Sequence, residues 1–154
     1  MKIISGGQTG ADRAALEAAR DMGFETGGYA PKGYLTEMGN DLSLKEFGLV
    51  DSGLDYTGRT ELNVMNSDLT LWFGIGDSAG YLATKKYCNK HHKPFVDCNS
   101  HCAFYIRALM KSAQVINVAG NRESKSIGIH DSVYRNMKEL LWGLKPTTQT
   151  ELIF

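Results

Sequence analysis

The chain has 154 residues, 42% of them hydrophobic and 22% charged, which suits one compact domain over residues 1–154 with enough length to bury a substantial core. Its 17 basic residues balance its 17 acidic ones, which argues against a nucleic-acid binder working by bulk electrostatics. No apolar run approaches a membrane span, no signal-peptide core opens the sequence, and Cys88, Cys98 and Cys102 make no disulfide framework, so the expected compartment is a reducing cytoplasm.

In chain order, "KIIS" reads as a short buried strand. A helix over about 11–22 follows, with Ala11, Ala14, Ala15, Ala18, Ala19 and Met22 on one face and Gly23 just past its end. "ETGGYAP" suggests a second strand ending at Pro31. Residues 32–57 read as irregular and long for a loop, a sign of function or of structure that pattern does not reveal. "RTELNVMNSD" suggests a short helix, "LTLWF" at 69–73 a buried strand, and "GIGDSAG" a turn into a helix over about 78–91. "PFVDC" and "QVINVA" read as strands on either side of a helix in "HCAFYIRALMKSA". A last helix carries Ile129, Val133, Met137 and Leu140/Leu141 at helical spacing. Alternating strands and helices predict an α/β fold: a mainly parallel sheet between two helical layers, a Rossmann-like three-layer sandwich. Ligands of such sheets sit beyond the carboxyl ends of the strands. Three predicted strands end in Gly-containing loops, after Ser5, Phe73 and Ala119, which converges on one sheet edge.

The stretch "SGGQTGADRAAL" opens the chemistry. Gly6, Gly7 and Gly10 permit close backbone approach, and the helix start that follows presents unpaired N–H groups with positive dipole character. Together Gly6, Gly7, Gln8, Thr9, Gly10 and Ala11 make a candidate phosphate cradle, with the amides of Gly7 to Ala11 as donors. No Lys-Ser/Thr follows, so it is not a Walker loop. The bland alternative is a tight turn that needs no ligand. Asp12 carries two readings: partner of Thr9 in a capping box, or a carboxylate that contacts a sugar hydroxyl or a water, or acts as a base. "GIGDSAG" is one residue longer than a dinucleotide fingerprint, with Asp97 about where a ribose-binding acid belongs; its bland reading is a turn capped by Asp77 or Ser78. Gly76, Ser78, Ala79 and Gly80 are placed at this second helix start on the ligand edge, with Ser78 and Gly80 as candidate ligand residues. Lys32, Arg59 and Arg122 are candidate anion partners. His91 and His92 read as surface groups at a helix end, Tyr29, Tyr34, Tyr56 and Tyr81 as rings able to stack on a ligand but mostly as packing, and "CNSHC" as two thiols beside a loop, not a metal site.

The segments "SGGQTGADRAAL", "GGYAPKG", "RTELNVMNSDLTLWF", "KKYCNKHHKPF" and "NVAGNRES…GI" occur in that order. Over about residues 3–141 this resembles the molybdenum-carrier protein family, a circularly permuted branch of the SMF/DprA–LOG (SLOG) superfamily. The resemblance implies a Rossmann-like fold, a homo-oligomer (dimer or tetramer), and an anionic ligand: a nucleotide derivative or the pterin phosphate of molybdenum cofactor. Three places depart from the family's usual pattern. Ala79-Gly80-Tyr81 stands where Gly-Gly-Thr is usual, Tyr29-Ala30-Pro31-Lys32-Gly33 where Trp-Cys-Pro-Lys-Gly is usual, and Asn121 where a Pro precedes Arg-Glu-Ser.

The leading expectation is therefore a carrier or sensor of a phosphorylated heterocycle. The alternative is a LOG-like phosphoribohydrolase cleaving the N-glycosidic bond of a nucleoside monophosphate. For it, Asp12, Glu61, Asp68 and Glu123 are the candidate carboxylates and Arg59 and Arg122 the candidate clamps, although no LOG-type "PGG-x-GT-x-x-E" stretch is present. Dinucleotide-dependent oxidoreduction rests only on "GIGDSAG" and Asp97.

Overall fold

The computed structural model describes residues 1–144. Five helices and six strands of one sheet alternate along it. The strands are β1 (Lys2–Ile4), β2 (Glu25–Ala30), β5 (Leu49–Asp51), β6 (Leu69–Phe73), β7 (Phe95–Asp97) and β8 (Val115–Gly120), in spatial order β5-β2-β1-β8-β6-β7 with every pairing parallel. The helices are α1 (Ala11–Asp21), α2 (Tyr56–Met65), α3 (Ala79–Lys90), α4 (Ala103–Met110) and α5 (Ile129–Leu141). The three-layer arrangement expected from the alternation is present.

The last strand, β8, lies between β1 and β6. Read from β8, the chain steps through β1, β2 and β5 toward one edge, then through β6 and β7 toward the other. The order reverses between β8 and β6, and a crevice opens beyond the strand ends at such a reversal. The three Gly-containing loops follow β1, β8 and β6, which are neighbours in the sheet, so the expected convergence holds.

One face of the sheet is dry. Ile3, Leu69, Leu71, Phe73, Val96, Ile116 and Val118 meet the alanine face of α1, Ile106 and Met110 of α4, and Val133, Met137, Leu140 and Leu141 of α5 in one buried cluster. Small side chains on α1 let it pack closely on α5. The other face, under α2 and α3, is polar. There Thr70, Trp72, Asn117, Asn63 and Thr84 are all buried. Period-two alternation along β6 and β8 sends one set of side chains to each face.

Residues 32–57 differ from expectation. They hold a 3₁₀ turn (Lys32–Tyr34), a two-stranded antiparallel hairpin of β3 (Leu35–Thr36) and β4 (Gly39–Asn40), a 3₁₀ helix (Leu42–Phe47) and β5 itself. Leu44, Phe47 and Leu49 join Leu16 of α1 and Ala30 of β2 in a second small core. α2 also starts earlier than "RTEL", because Asp55 caps it by accepting a hydrogen bond from the Gly58 amide at 2.7 Å.

The cap of α1 is a correction. Thr9 is not the N-cap; Gly10 is, and no side chain caps the helix. The capping-box spacing is met in sequence, but the Thr9 hydroxyl turns away. It donates to Glu37 Oε1 and accepts from the Glu123 amide at 3.2 Å. At α3 the cap is Ser78, whose Oγ accepts from the Tyr81 amide at 3.2 Å; Asp77 precedes it with φ 72°.

Candidate functional site

A cleft of about 340 Å³ opens at the switch point, between α2 and α3 and over the polar face of the sheet. Its inner end is built by Gly6, Gln8 and Asp12. Its walls come from Tyr56, Arg59 and Thr60 of α2 and from Gly80, Ala83 and Thr84 of α3, its floor from Trp72, Asn117 and Ala119, and its rim from Asn121, Arg122 and Lys125. Size and lining suit a small organic ligand.

The glycines of the opening stretch are small because of their neighbours. A Cβ at Gly6 would sit 1.6 Å from Arg59 Nη1. At Gly7, which has φ +77°, it would sit 2.6 Å from Leu44 Cδ1. At Gly10 it would run into the backbone of residues 121–123. Four of the five amides expected to hold an external anion have protein acceptors. Gly7 N donates to Ser5 Oγ (3.4 Å), Gln8 N to Asp12 Oδ2 (3.3 Å), Thr9 N to Gln8 Oε1 (3.0 Å) and Ala11 N to the Asn121 carbonyl (3.2 Å).

Asp12 is thus the anion that the turn already holds. Its Oδ2 also lies 3.2 Å from Arg59 Nη1, and both side chains are buried. The nearby Gly6 amide also favours the charged carboxyl. Burial raises the carboxyl's pKa, and Arg59 with the two amides recovers only part of that cost, leaving it at about 6. Arg59 is further placed by a hydrogen bond from Nε to the Tyr56 carbonyl (3.3 Å), with its guanidinium 5.6 Å from the Tyr56 ring centroid.

Asn121 joins the loops around the cleft. Its Oδ1 accepts from Ile75 N at 2.6 Å, its Nδ2 reaches Ser78 Oγ at 3.4 Å, and its own amide donates to the Phe73 carbonyl at 3.2 Å. A Pro at this position would lack that amide. Beside it, Arg122 Nε lies 3.4 Å from Glu37 Oε2. Burial opposes charge on Glu37, but hydrogen bonds from Ser124 and Thr9, helped by Arg122, outweigh it and hold the carboxyl below its ordinary range. Lys125 forms no ion pair among the described residues.

Of the candidate ligand residues, Gly6, Gln8, Arg59, Gly80 and Arg122 line the cleft. Gly7 and Ala11 serve packing and loop contacts, and Thr9 and Gly10 line a second, more open and almost wholly apolar hollow of about 440 Å³ beside Glu37, Met38, Ile127 and His130. Ser78 caps α3, and Lys32 is exposed on the 3₁₀ turn beyond β2. Of the candidate catalytic residues, Asp12 and Arg59 are in the cleft. Glu61 binds Lys90 Nζ (2.7 Å) and His91 Nε2 (2.8 Å) at the far end of α3. Asp68 accepts from Gln114 N and Val115 N at the opposite edge of the sheet, and Glu123 accepts from Gly128 N and His130 N at the start of α5. Asp97 accepts from Asn99 N and is not part of the cleft lining. Tyr81 packs edge-on between Trp72 and Phe95, which accounts for a ring where the family has Thr. Among the described residues, no group of three or more His, Cys, Asp or Glu could hold a metal ion.

Sequence reasoning did not single out Asn63, Trp72, Asn117 or Lys125 as lining, nor Glu37 and Asn121 as the ties that hold the loops. The polar residues inside "LTLWF" and "QVINVA" were the available signal: Thr70 and Asn117 interrupt otherwise apolar buried strands. The Trp72 indole N–H is buried and has no acceptor among the described residues.

A parallel sheet with this strand order and helices on both faces defines a Rossmann-like fold. The chain belongs to the Circularly permutated YpsA SLOG family, whose model matches residues 3–141. The position of β8 between β1 and β6 accords with that permutation. The structure is similar to the crystal structure of the Putative molybdenum carrier protein from Syntrophus aciditrophicus SB, with 36% identity, 92% of each chain covered and a TM-score of 0.75. No curated protein matches the chain.

Proposed function

We propose that the protein binds a phosphorylated heterocycle in the α2–α3 cleft and acts as its carrier or sensor, the ligand being molybdenum cofactor or a nucleotide derivative. The observation that supports this best is the composition of the cleft. Its floor and walls carry amide and hydroxyl groups from Asn63, Asn117, Thr60 and Thr84, Tyr56 offers an aromatic face, and Arg122 and Lys125 stand at the rim. Such a lining matches a ring with polar edges and an anionic group, with Arg59 at the inner end as well as the rim residues as its candidate cations. The neighbour named as a molybdenum carrier makes molybdopterin the first ligand to test. The assembly expected of the family is a homo-oligomer.

The test is thermal denaturation of the apo protein with molybdopterin, a mononucleotide panel and ADP-ribose, beside native mass spectrometry of the purified protein. A ligand at a hundred times its dissociation constant adds about 2.7 kcal/mol of stability. Absence of any shift at saturating concentration, with nothing copurifying, removes the proposal.

A further inference from the structure

The inner end of the cleft poses an electrostatic problem. The donors there that a ligand anion would use, the Gln8 amide and the Arg59 guanidinium, already hold Asp12 Oδ2 at 3.3 and 3.2 Å. An anion brought in beside an ionised Asp12 meets a buried like charge and a cation already neutralised. We propose that Asp12 couples anion binding in this cleft to proton uptake: the anion takes over Arg59 and the turn amide, and Asp12 gains one proton.

The proposal rests on the reading that the cleft binds an anion. It makes Asp12 a specificity-determining residue, favouring ligands that arrive with a proton or bind at acid pH over fully charged anions above neutrality. Burial supports it, since a carboxyl with 6% of its surface exposed has little water to support its charge once Arg59 turns to another partner. The raised pKa, about 6, places the exchange near neutrality. The Asp12 carboxyl is faced by the Arg59 side chain from α2 and by the Gln8 backbone amide of its own turn. Tyr56, Arg122 and Lys125 are the other ionisable groups lining the cleft, and no histidine does. Tyr, Lys and Arg side chains ordinarily titrate well above pH 8, so within pH 5–8 the proton goes to the carboxyl that burial has raised to about 6.

Sulfate is the probe, because its own charge is constant across this range. Titration calorimetry of the intact protein in buffers of different ionisation heat, from pH 5 to 8.5, reads affinity and protons together. The expected result is about one proton taken up per sulfate near pH 7 and almost none at pH 5, with affinity falling up to about tenfold per pH unit above about 6. Asp12→Asn is expected to take up no proton, to bind with flat pH dependence, and to exceed the wild-type affinity at pH 8 by at least about tenfold. The wild-type proton count stands by itself if that variant does not fold. Sulfate binding without proton uptake in the wild type overturns the coupling and leaves the anion-binding reading in place. Equal uptake in Asp12→Asn overturns it too, because another group then carries the proton. No sulfate binding by either protein at any pH overturns the coupling and the anion-binding reading together.

Discussion

Strands β6 and β8 present two unlike faces. On one, Leu69, Leu71, Phe73, Ile116 and Val118 close against α1, α4 and α5 with no polar side chain among them. On the other, Thr70, Trp72 and Asn117 lie under a cleft that two helices only partly cover. The same backbone, read at odd and even positions, holds the fold with one set of side chains and offers chemistry with the other. The lesson is one of division: stability is concentrated where nothing polar is buried, so the opposite face can keep polar groups that add little to the core.

That division predicts different responses on the two sides. The largest stability loss belongs to the dry face. Leu71→Ala should cost about 2–5 kcal/mol in urea denaturation, while the folded fraction keeps its ligand affinity. A ligand affinity that collapses in step would mean that the two faces are not separable.

Next comes Asp12, through pH. Its folded-state pKa of about 6 lies above the 3.8 of an ordinary Asp, so the folded protein binds the extra proton between these values. Stability referable to this group is highest below about pH 4, falls as pH rises, and is fully lost above about 6. Relative to Asp12→Asn, the wild type should therefore lose about 3 kcal/mol between pH 4 and 7. A constant difference between the two proteins across that range would show that the carboxyl is not strained by burial.

Asn121→Ala should cost about 1–3 kcal/mol, because Ile75 N loses its acceptor and the β6 and β8 loops lose their tie. The same variant should weaken ligand binding, since both loops border the cleft; unchanged chemical denaturation would sink this assignment. Thr9→Ala should cost about 1 kcal/mol through the lost Glu37 and Glu123 contacts. Because Thr9 is not a cap, Thr9→Asn, an equally good capping residue, should fail to restore stability. The smallest effect on stability is at the rim. Lys125→Ala should change it by less than about 0.5 kcal/mol while weakening sulfate binding measurably. Equal sulfate affinity would mean that Arg59 at the inner end holds the anion without help from the rim.

Much of this architecture was legible in the sequence. "LTLWF" and the Ile129/Val133/Met137/Leu140 spacing carry strong single-period signals, and both elements stand where the pattern puts them. β5 was not legible. It is a three-residue edge strand with Val50 exposed, set between glycines, and its place is fixed by pairing with β2, not by its own composition. The meaning of "SGGQTGAD" was legible only in part. A glycine reads the same whether it clears space for a phosphate, for Arg59 or for Leu44, and that choice is made by residues dozens of positions away. Glu37 lay hidden for the same reason, since its partners Thr9, Arg122 and Ser124 come from distant parts of the chain.

The central position of β8 bears on how the molecule is made. During synthesis β1, β2 and β5 emerge first and β6 and β7 later, yet these two groups share no pairing. They are joined only when Val115–Gly120 has left the ribosome and slipped between Ile3 and the β6 backbone. Until then each half-sheet presents an unpaired inner edge, and such edges invite pairing with other chains. The floor of the cleft arrives with the same strand through Asn117, so a nascent chain has no ligand site to stabilise it. The interval before β8 emerges is therefore when β1 and β6 both lack the strand that joins them.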